Sequence, residues 1–261
     1  MNSPTTNRPL HRSYSVLAEI YDAVMKDVDY EAWTDYIDEV IMMHHHEARD
    51  VLELACGTGT MALSMEEIGY YNITATDLSP EMIRKAKEKA RLADSDVEFH
   101  TQDFLNIELT KTFDAAFMVF DSLNYLHNAE DILQLHEQVY QHLNPGGIFV
   151  YDFTTPRNSK KAIRYLNDEQ DTVNQMYNYH RTSSYDDEKR IHTNTFDIEK
   201  RPHSRSDFTE TFREEHHQKI YTLKDITPII EQSPFQLLKA YDGFELKPAH
   251  KRSLRITMVL R

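Results

Sequence analysis

Val51-Leu52-Glu53-Leu54-Ala55-Cys56-Gly57-Thr58-Gly59-Thr60 decides the reading of this chain. A short apolar run, suited to a buried strand, ends in two glycines one residue apart. Residues 57–68 then carry helical apolar spacing and close on Gly69. Glycine adopts positive φ without a Cβ penalty and lets a ligand approach the backbone. The helix N-terminus beyond it leaves N–H groups free. Strand, glycine turn and helix together describe a nucleotide or nucleoside site at the C-terminal end of a first strand. On the glycines alone two readings stay open. Gly57-x-Gly59-x-x-Ala62 also fits the dinucleotide fingerprint, and Asp77 follows Gly57 at the distance of a ribose-binding acid. A nicotinamide-dependent oxidoreductase therefore remains one alternative.

Working outward, residues 72–76 read as a second strand, and Ser79, Pro80 and Glu81 open the next helix as N-cap, first helical residue and first-turn acid. Met82, Ile83, Ala86 and Ala90 form its inner face. Residues 97–101 and 113–120 read as strands, 132–143 as a helix, and Asn144-Pro145-Gly146-Gly147 as a turn into a strand over 148–153. Such alternation predicts a doubly wound α/β fold with a mostly parallel sheet. Upstream of it, Val16, Leu17, Ile20, Tyr21, Val24 and Met25 recur at helical spacing, as do Trp33, Tyr36, Ile37, Val40 and Ile41; residues 1–12 are polar. His44–His46 end the second helix; adjacent residues do not share a helix face, so they read as a solvated end and no metal site is expected.

Past Pro156 the pattern changes. Residues 157–172 are charged and irregular, whereas 175–183, 190–200 and 207–221 alternate loosely, predicting an inserted antiparallel lid of about three strands. A helix over 222–232 and strands over 236–243 and 253–260 complete a seven-stranded sheet, the last pair forming an antiparallel edge. The expected division is an arm (1–48), an α/β core (49–155), a lid (156–221) and a C-terminal completion of the core (222–261).

Composition narrows the class. The 261 residues carry a net charge of −14, with one cysteine and six glycines. Five glycines fall between Gly57 and Gly147, and none in the lid segment. Cys56 alone excludes an internal disulfide framework and a multi-cysteine zinc site, and suits a reducing, cytoplasmic setting. No run approaches about 18 apolar residues, so no membrane span is expected, and MNSPTTNRPLHR has no apolar region of a secretory signal. The acidic balance argues against nucleic-acid binding, which rests on phosphate neutralisation by Lys and Arg.

The neighbours of the glycine loop carry a more specific signal. Glu53 followed after three residues by Gly57-Thr58-Gly59 resembles motif I of the class I S-adenosylmethionine-dependent methyltransferases. Asp77 in Ala75-Thr76-Asp77-Leu78-Ser79, Pro80-Glu81-Met82, Gln102-Asp103-Phe104, Phe113-Asp114-Ala115-Ala116 and Leu143-Asn144-Pro145-Gly146-Gly147 follow in that family's order. The resemblance spans roughly residues 49–155 and implies S-adenosyl-L-methionine as cofactor. It implies Asp77 on the ribose hydroxyls, Met82 against the adenine, Asp103 on the adenine amino group and Glu53 at the methionine amino group or its loop. Ala55, Gly57, Gly59, Leu78, Phe104 and Phe120 complete the core's cofactor set.

Beyond the core, Tyr14-x-x-x-Ala18-x-x-Tyr21-Asp22 with Tyr30-x-x-Trp33 resembles the arm of small-molecule methyltransferases, the glycine and amino-sugar N-methyltransferases among them. That likeness implies Tyr14, Tyr21 and Trp33 near the cofactor, a lid, and a small polar acceptor methylated at N or O by in-line displacement. Such chemistry requires alignment and exclusion of water rather than an obligatory nucleophile or metal. Asp121-Ser122-Leu123-Asn124 lacks the prolines of the aminoadenine N-methyltransferases, which counts against that substrate. Tyr125 is the candidate residue at the methyl. His216, in Glu214-Glu215-His216-His217-Gln218-Lys219-Ile220-Tyr221, is the candidate base, histidine being suited to proton transfer near neutrality. A non-catalytic cofactor-sensing protein on the same scaffold is the other alternative. The sequence names no acceptor and no oligomeric state.

Overall fold

A computed structural model describes residues 14–201 and 208–261. The polar lead 1–12, Ser13, and Asp207 at the start of the third expected lid strand lie outside those residues. The arm holds a 3-10 turn (Leu17–Glu19) and two helices, α1 (Tyr21–Val24) and α2 (Tyr30–His45). Tyr14 and Ala55 adopt positive φ. The continuous helical spacing read from Val16 to Met25 is thus divided into two short pieces. Then follow β1 (Asp50–Leu54), α3 (Thr60–Glu67), β2 (Asn72–Asp77), α4 (Pro80–Ala93), β3 (Glu98–Thr101), β4 (Phe113–Met118), α5 (Ala129–Gln141) and β5 (Leu143–Thr154). The helix read from residue 57 begins only at Thr60, because Gly57 and Gly59 both hold left-handed backbone.

The stretch read as irregular contains α6 (Pro156–Leu166) and an edge strand β6 (Glu169–Val173). Among the described residues the lid therefore has four strands where about three are expected, in the order β6, β7 (Tyr177–Asp186), β8 (Ile191–Lys200) and β9 (Glu210–Lys219), all antiparallel. The chain returns through α7 (Leu223–Ile230) to β10 (Leu237–Asp242), β11 (Glu245–Pro248) and β12 (Arg255–Leu260). The main sheet runs β11-β10-β12-β5-β4-β1-β2-β3, parallel from β5 to β3 and antiparallel beyond. The short β11, hairpinned on β10, adds an eighth strand to the seven read from the sequence.

Period-two alternation divides the core between the sheet's faces. Val51, Phe117 and Val150 pack with α2 and α3, whereas Leu52, Ala116, Phe149 and Tyr151 pack with α5 and α7. Within the second layer His136 is fully buried, its Nε2 3.2 Å from the Tyr151 hydroxyl. Burial pushes its pKa from 6.5 down to about 4. An unfolded chain takes up this proton first on acidification, so the contribution is complete above pH 6.5 and lost towards pH 4. Over that window the fold should lose about 3 kcal/mol through this one group. Denaturant titrations of wild type and His136→Phe test this: the wild-type midpoint should fall more steeply with acid, and parallel curves would refute it. Among the described residues no helix is long and apolar enough to cross a membrane.

Candidate functional site

The loop after β1 is folded by a carboxylate. Asp77, the last residue of β2, accepts the Gly57 N–H on Oδ2 and the Ser79 N–H on Oδ1, each at 2.8 Å. The neighbouring strands thereby fix the glycine turn and the start of α4 together. Ser79 caps α4 by accepting from the Met82 N–H and donates its hydroxyl to the Tyr14 carbonyl at 2.9 Å. The arm is fastened a second time where Lys89 Nζ donates to Thr58, Thr60 and Asp22. A Cβ at Gly59 would lie 2.7 Å from the Phe99 ring and 2.9 Å from Ala86. That glycine serves close packing of loop on α4 and β3.

Above this loop lies a cavity of about 350 Å³. Glu53, Ala55, Gly57 and Asp77 form its floor, and Leu78, Met82 and Phe104 one wall. Tyr14, Tyr21, Phe120 and Tyr125 close it on the other side. Trp33, Gly59 and Asp103 do not line it; Trp33 lines a second cavity, and Asp103 Oδ1 accepts the Leu105 N–H. Tyr30, Cys56, Thr58, Thr60, Met61, Ser79 and Ser122 also line the first cavity, although no cofactor role is read for them from sequence. Their local signals lie in the motifs around them: the arm for Tyr30, the glycine loop for Thr58 and Thr60, the start of α4 for Ser79 and the segment after β4 for Ser122.

The second cavity, about 320 Å³, lies under the lid and shares Tyr14, Tyr21, Phe120 and Tyr125 with the first. Alternation along the lid strands presents Arg181 from β7, His192, Asn194 and Phe196 from β8, and His216 and Gln218 from β9. Tyr125 is delivered by a 3-10 turn (Ser122–Tyr125) that follows two left-handed residues, Phe120 and Asp121. Buried Asn124 anchors this turn, donating to the Lys219 carbonyl and accepting the Thr154 N–H. Arg255 steadies the strained pair, bridging Asp121 and the fully buried Asp152, whose Oδ1 accepts the Asp121 N–H.

A polar chain crosses the shared wall. The Tyr14 and Tyr125 hydroxyls are 2.6 Å apart, and the Tyr125 hydroxyl lies 3.1 Å from His216 Nδ1. His216 Nε2 is 3.7 Å from Glu214 Oε2. Glu214 Oε1 in turn accepts from the Ser15 hydroxyl and the Val16 and Leu17 N–H groups. Burial alone would raise the Glu214 pKa, but these bonds and His216 outweigh it and hold the acid ionised. Burial raises the pKa of both Tyr14 and Tyr125, so both stay neutral donors near pH 7.

Glu53 shows what the first cavity lacks. Burial and the nearby Asp77 carboxylate raise its pKa well above the usual range, and its buried Oε2 has no hydrogen-bond partner among the described residues. A buried acceptor without a partner is costly, and an amino group brought into the cavity would satisfy it. Asp77 offers hydroxyls a carboxylate already oriented by two amides, and Leu78, Met82 and Phe104 offer a flat heterocycle apolar contact. These acceptors and walls fit S-adenosylmethionine, whose methionine, ribose and adenine carry those three groups.

Comparison with known proteins agrees with the site. Residues 51–147 match the methyltransferase domain family. The chain is 34% identical over 140 residues to a putative methyltransferase, YqeM, of Bacillus subtilis, covering 53% of this chain and 54% of that protein. It is 28% identical over 138 residues to the dTDP-3-amino-3,4,6-trideoxy-alpha-D-glucopyranose N,N-dimethyltransferase of Streptomyces venezuelae, covering 52% and 56%. The chain thus spans about half the length of the curated relatives it matches. The fold continues further. A crystal structure of an S-adenosylmethionine-dependent methyltransferase from Clostridium acetobutylicum superposes with TM-score 0.76 at 27% identity, covering 96% of this chain and 99% of that one.

Proposed function

We propose that this chain is a class I, S-adenosylmethionine-dependent methyltransferase and that it methylates nitrogen or oxygen of a small polar acceptor held under the lid. The observation carrying this reading is the aromatic wall of Tyr14, Tyr21, Phe120 and Tyr125, common to both cavities. A donor bound on one side and an acceptor on the other meet at that wall. The bound cofactor supplies an electrophilic methyl on a sulfonium. The chain's own work is to hold, align and dehydrate, and alignment of this kind lowers barriers without a covalent intermediate.

In this reading Asp77 holds the ribose, Glu53 the amino group, and the apolar wall the adenine. Tyr125 orients the acceptor lone pair through its hydroxyl and passes the departing acceptor proton to His216 Nδ1, with Glu214 balancing the charge that forms. Residues 1–48 act as arm, 49–155 as cofactor core, 156–221 as lid and 222–261 as completion of the core. The test is calorimetric binding of S-adenosylhomocysteine against NAD, followed by transfer of labelled methyl from S-adenosylmethionine to a panel of small amines and alcohols. Binding of the thioether alone with transfer to one acceptor class is expected. Stabilisation by NAD alone would overturn the reading, and tight binding without transfer to any acceptor would favour a sensing role.

A further inference from the structure

The second cavity has a charge of its own that the proton chain does not use. Arg181 points into it from β7, its side chain 14% exposed. Nε and one Nη2 hydrogen are spent on Asn194 Oδ1, at 3.1 and 3.0 Å, and Nη1 lies 3.4 Å from Glu169 Oε2. Glu169 is shared, because its other oxygen accepts the Tyr179 hydroxyl at 2.8 Å. Phe196 covers one face of the guanidinium, 5.1 Å from its carbon. Five N–H groups make a guanidinium, so one hydrogen on each terminal nitrogen is left without a partner among the described residues. That pair is the fork that grips carboxylate or phosphate.

Charge balance inside the cavity is uneven. Arg255, the other guanidinium there, is matched twice over by Asp121 and Asp152. Arg181 has a single long contact to a partner already engaged, and burial works against its charge. Apart from His192 and His216, the rest of the lining carries no acid or base stronger than a tyrosine, with Leu17, Val24, Met25 and Leu166 on the arm and α6 side. A buried cation with open donors beside an apolar chamber is a half-built ion pair.

We propose that Arg181 anchors an anionic group of the methyl acceptor, a carboxylate or a phosphate, and so selects acceptors that carry such a group besides the nucleophilic atom. This rests on the reading of the second cavity as the acceptor's. The orientation follows from the two ends: the anion sits at Arg181, and the nucleophile reaches Tyr125 at the shared wall.

Trp33 makes the test independent of turnover. It is the chain's one tryptophan, it lines the same cavity, and the Arg255 guanidinium lies 5.2 Å from its ring. With S-adenosylhomocysteine present, its fluorescence should report binding of matched probes: β-alanine against β-alaninamide, and aminoethyl phosphate against ethanolamine. One anionic member should bind tighter than its neutral partner, and which series shows this separates carboxylate from phosphate. Arg181→Met should weaken the anionic probe about 10- to 100-fold and leave the neutral probe nearly unchanged. Arg181→Lys, keeping charge without the fork, should fall between. Glu169→Gln should tighten the anionic probe, a gain that misfolding does not produce.

Equal losses for anionic and neutral probes in Arg181→Met, or no preference in wild type, would overturn the anchor. Preferential anionic binding with no methyl transfer to any probe would instead count against the methyltransferase reading and leave the anchor standing.

Discussion

Replacing Asp77 by alanine is expected to weaken S-adenosylhomocysteine binding about 100-fold, because a carboxylate hydrogen-bonded to a ligand contributes about 1.5–3 kcal/mol per bond and more than one is lost. The loss has a second component. Asp77 holds the Gly57 and Ser79 amides, so its removal releases the glycine turn and the first residues of α4 together. Asp77→Asn is the milder change, since it can still accept from one of the two amides. It keeps one acceptor and the side-chain shape while giving up the charge, and about tenfold weakening is expected. Calorimetry gives both affinities, and circular dichroism establishes that the sheet is intact. An alanine variant with wild-type affinity would remove the ribose assignment and with it the main argument for the first cavity.

The other large effect is expected in turnover. Tyr125→Phe should lower kcat about 100-fold while S-adenosylhomocysteine affinity stays near wild type, since positioned proton transfer contributes about 10²- to 10⁴-fold. The phenyl ring still fills the wall; only the hydroxyl between Tyr14 and His216 is gone. His216→Gln should act through the same route, so the double variant should be scarcely slower than Tyr125→Phe alone. Multiplying losses would mean that the two residues do separate work, and a Tyr125→Phe enzyme of normal speed would dismiss the chain altogether. Initial rates at saturating acceptor, once one is identified from the panel, decide between these outcomes.

The parallel core was legible because its elements carry local signals: an apolar run for β1, β-branched and small residues for β2, Ser79-Pro80-Glu81 for the start of α4, glycines at positive φ in the loop after β1. The segment after Pro156 hid two elements for opposite reasons. The buried residues of α6 are Ser159 and Ala162, too small and polar to mark a stripe, although Thr155 and Pro156 are a serviceable N-cap and first residue. β6 buries only Val173, as a solvated edge strand does.

The site divides in the same way. Glu53, Gly57 and Asp77 lie near one another in sequence and pattern. Arg181, Asp152 and Arg255 come from three distant segments, and nothing in any one of them announces the others. Trp33 sits on α2 at a core-like position, and only the packing of the arm under the lid turns it to the second cavity. Left-handed Phe120 and Asp121 have no glycine to signal them, because Arg255 and Asp152 supply the restraint that glycine's freedom would make unnecessary.

Glu214 gives the molecule a timetable. Its carboxylate grips residues 15–17 from nearly 200 positions further along the chain. During synthesis the arm emerges before the nucleoside-binding half, and both wait for β9 before the roof can close. A chain released before that strand would hold β1 to β5, the glycine loop and the Ser79 and Lys89 fastenings of the arm, yet residues 15–17 would lack the carboxylate that grips them. Completion of the chamber under the lid is therefore a late event in the protein's life. It occurs when a single buried acid arrives.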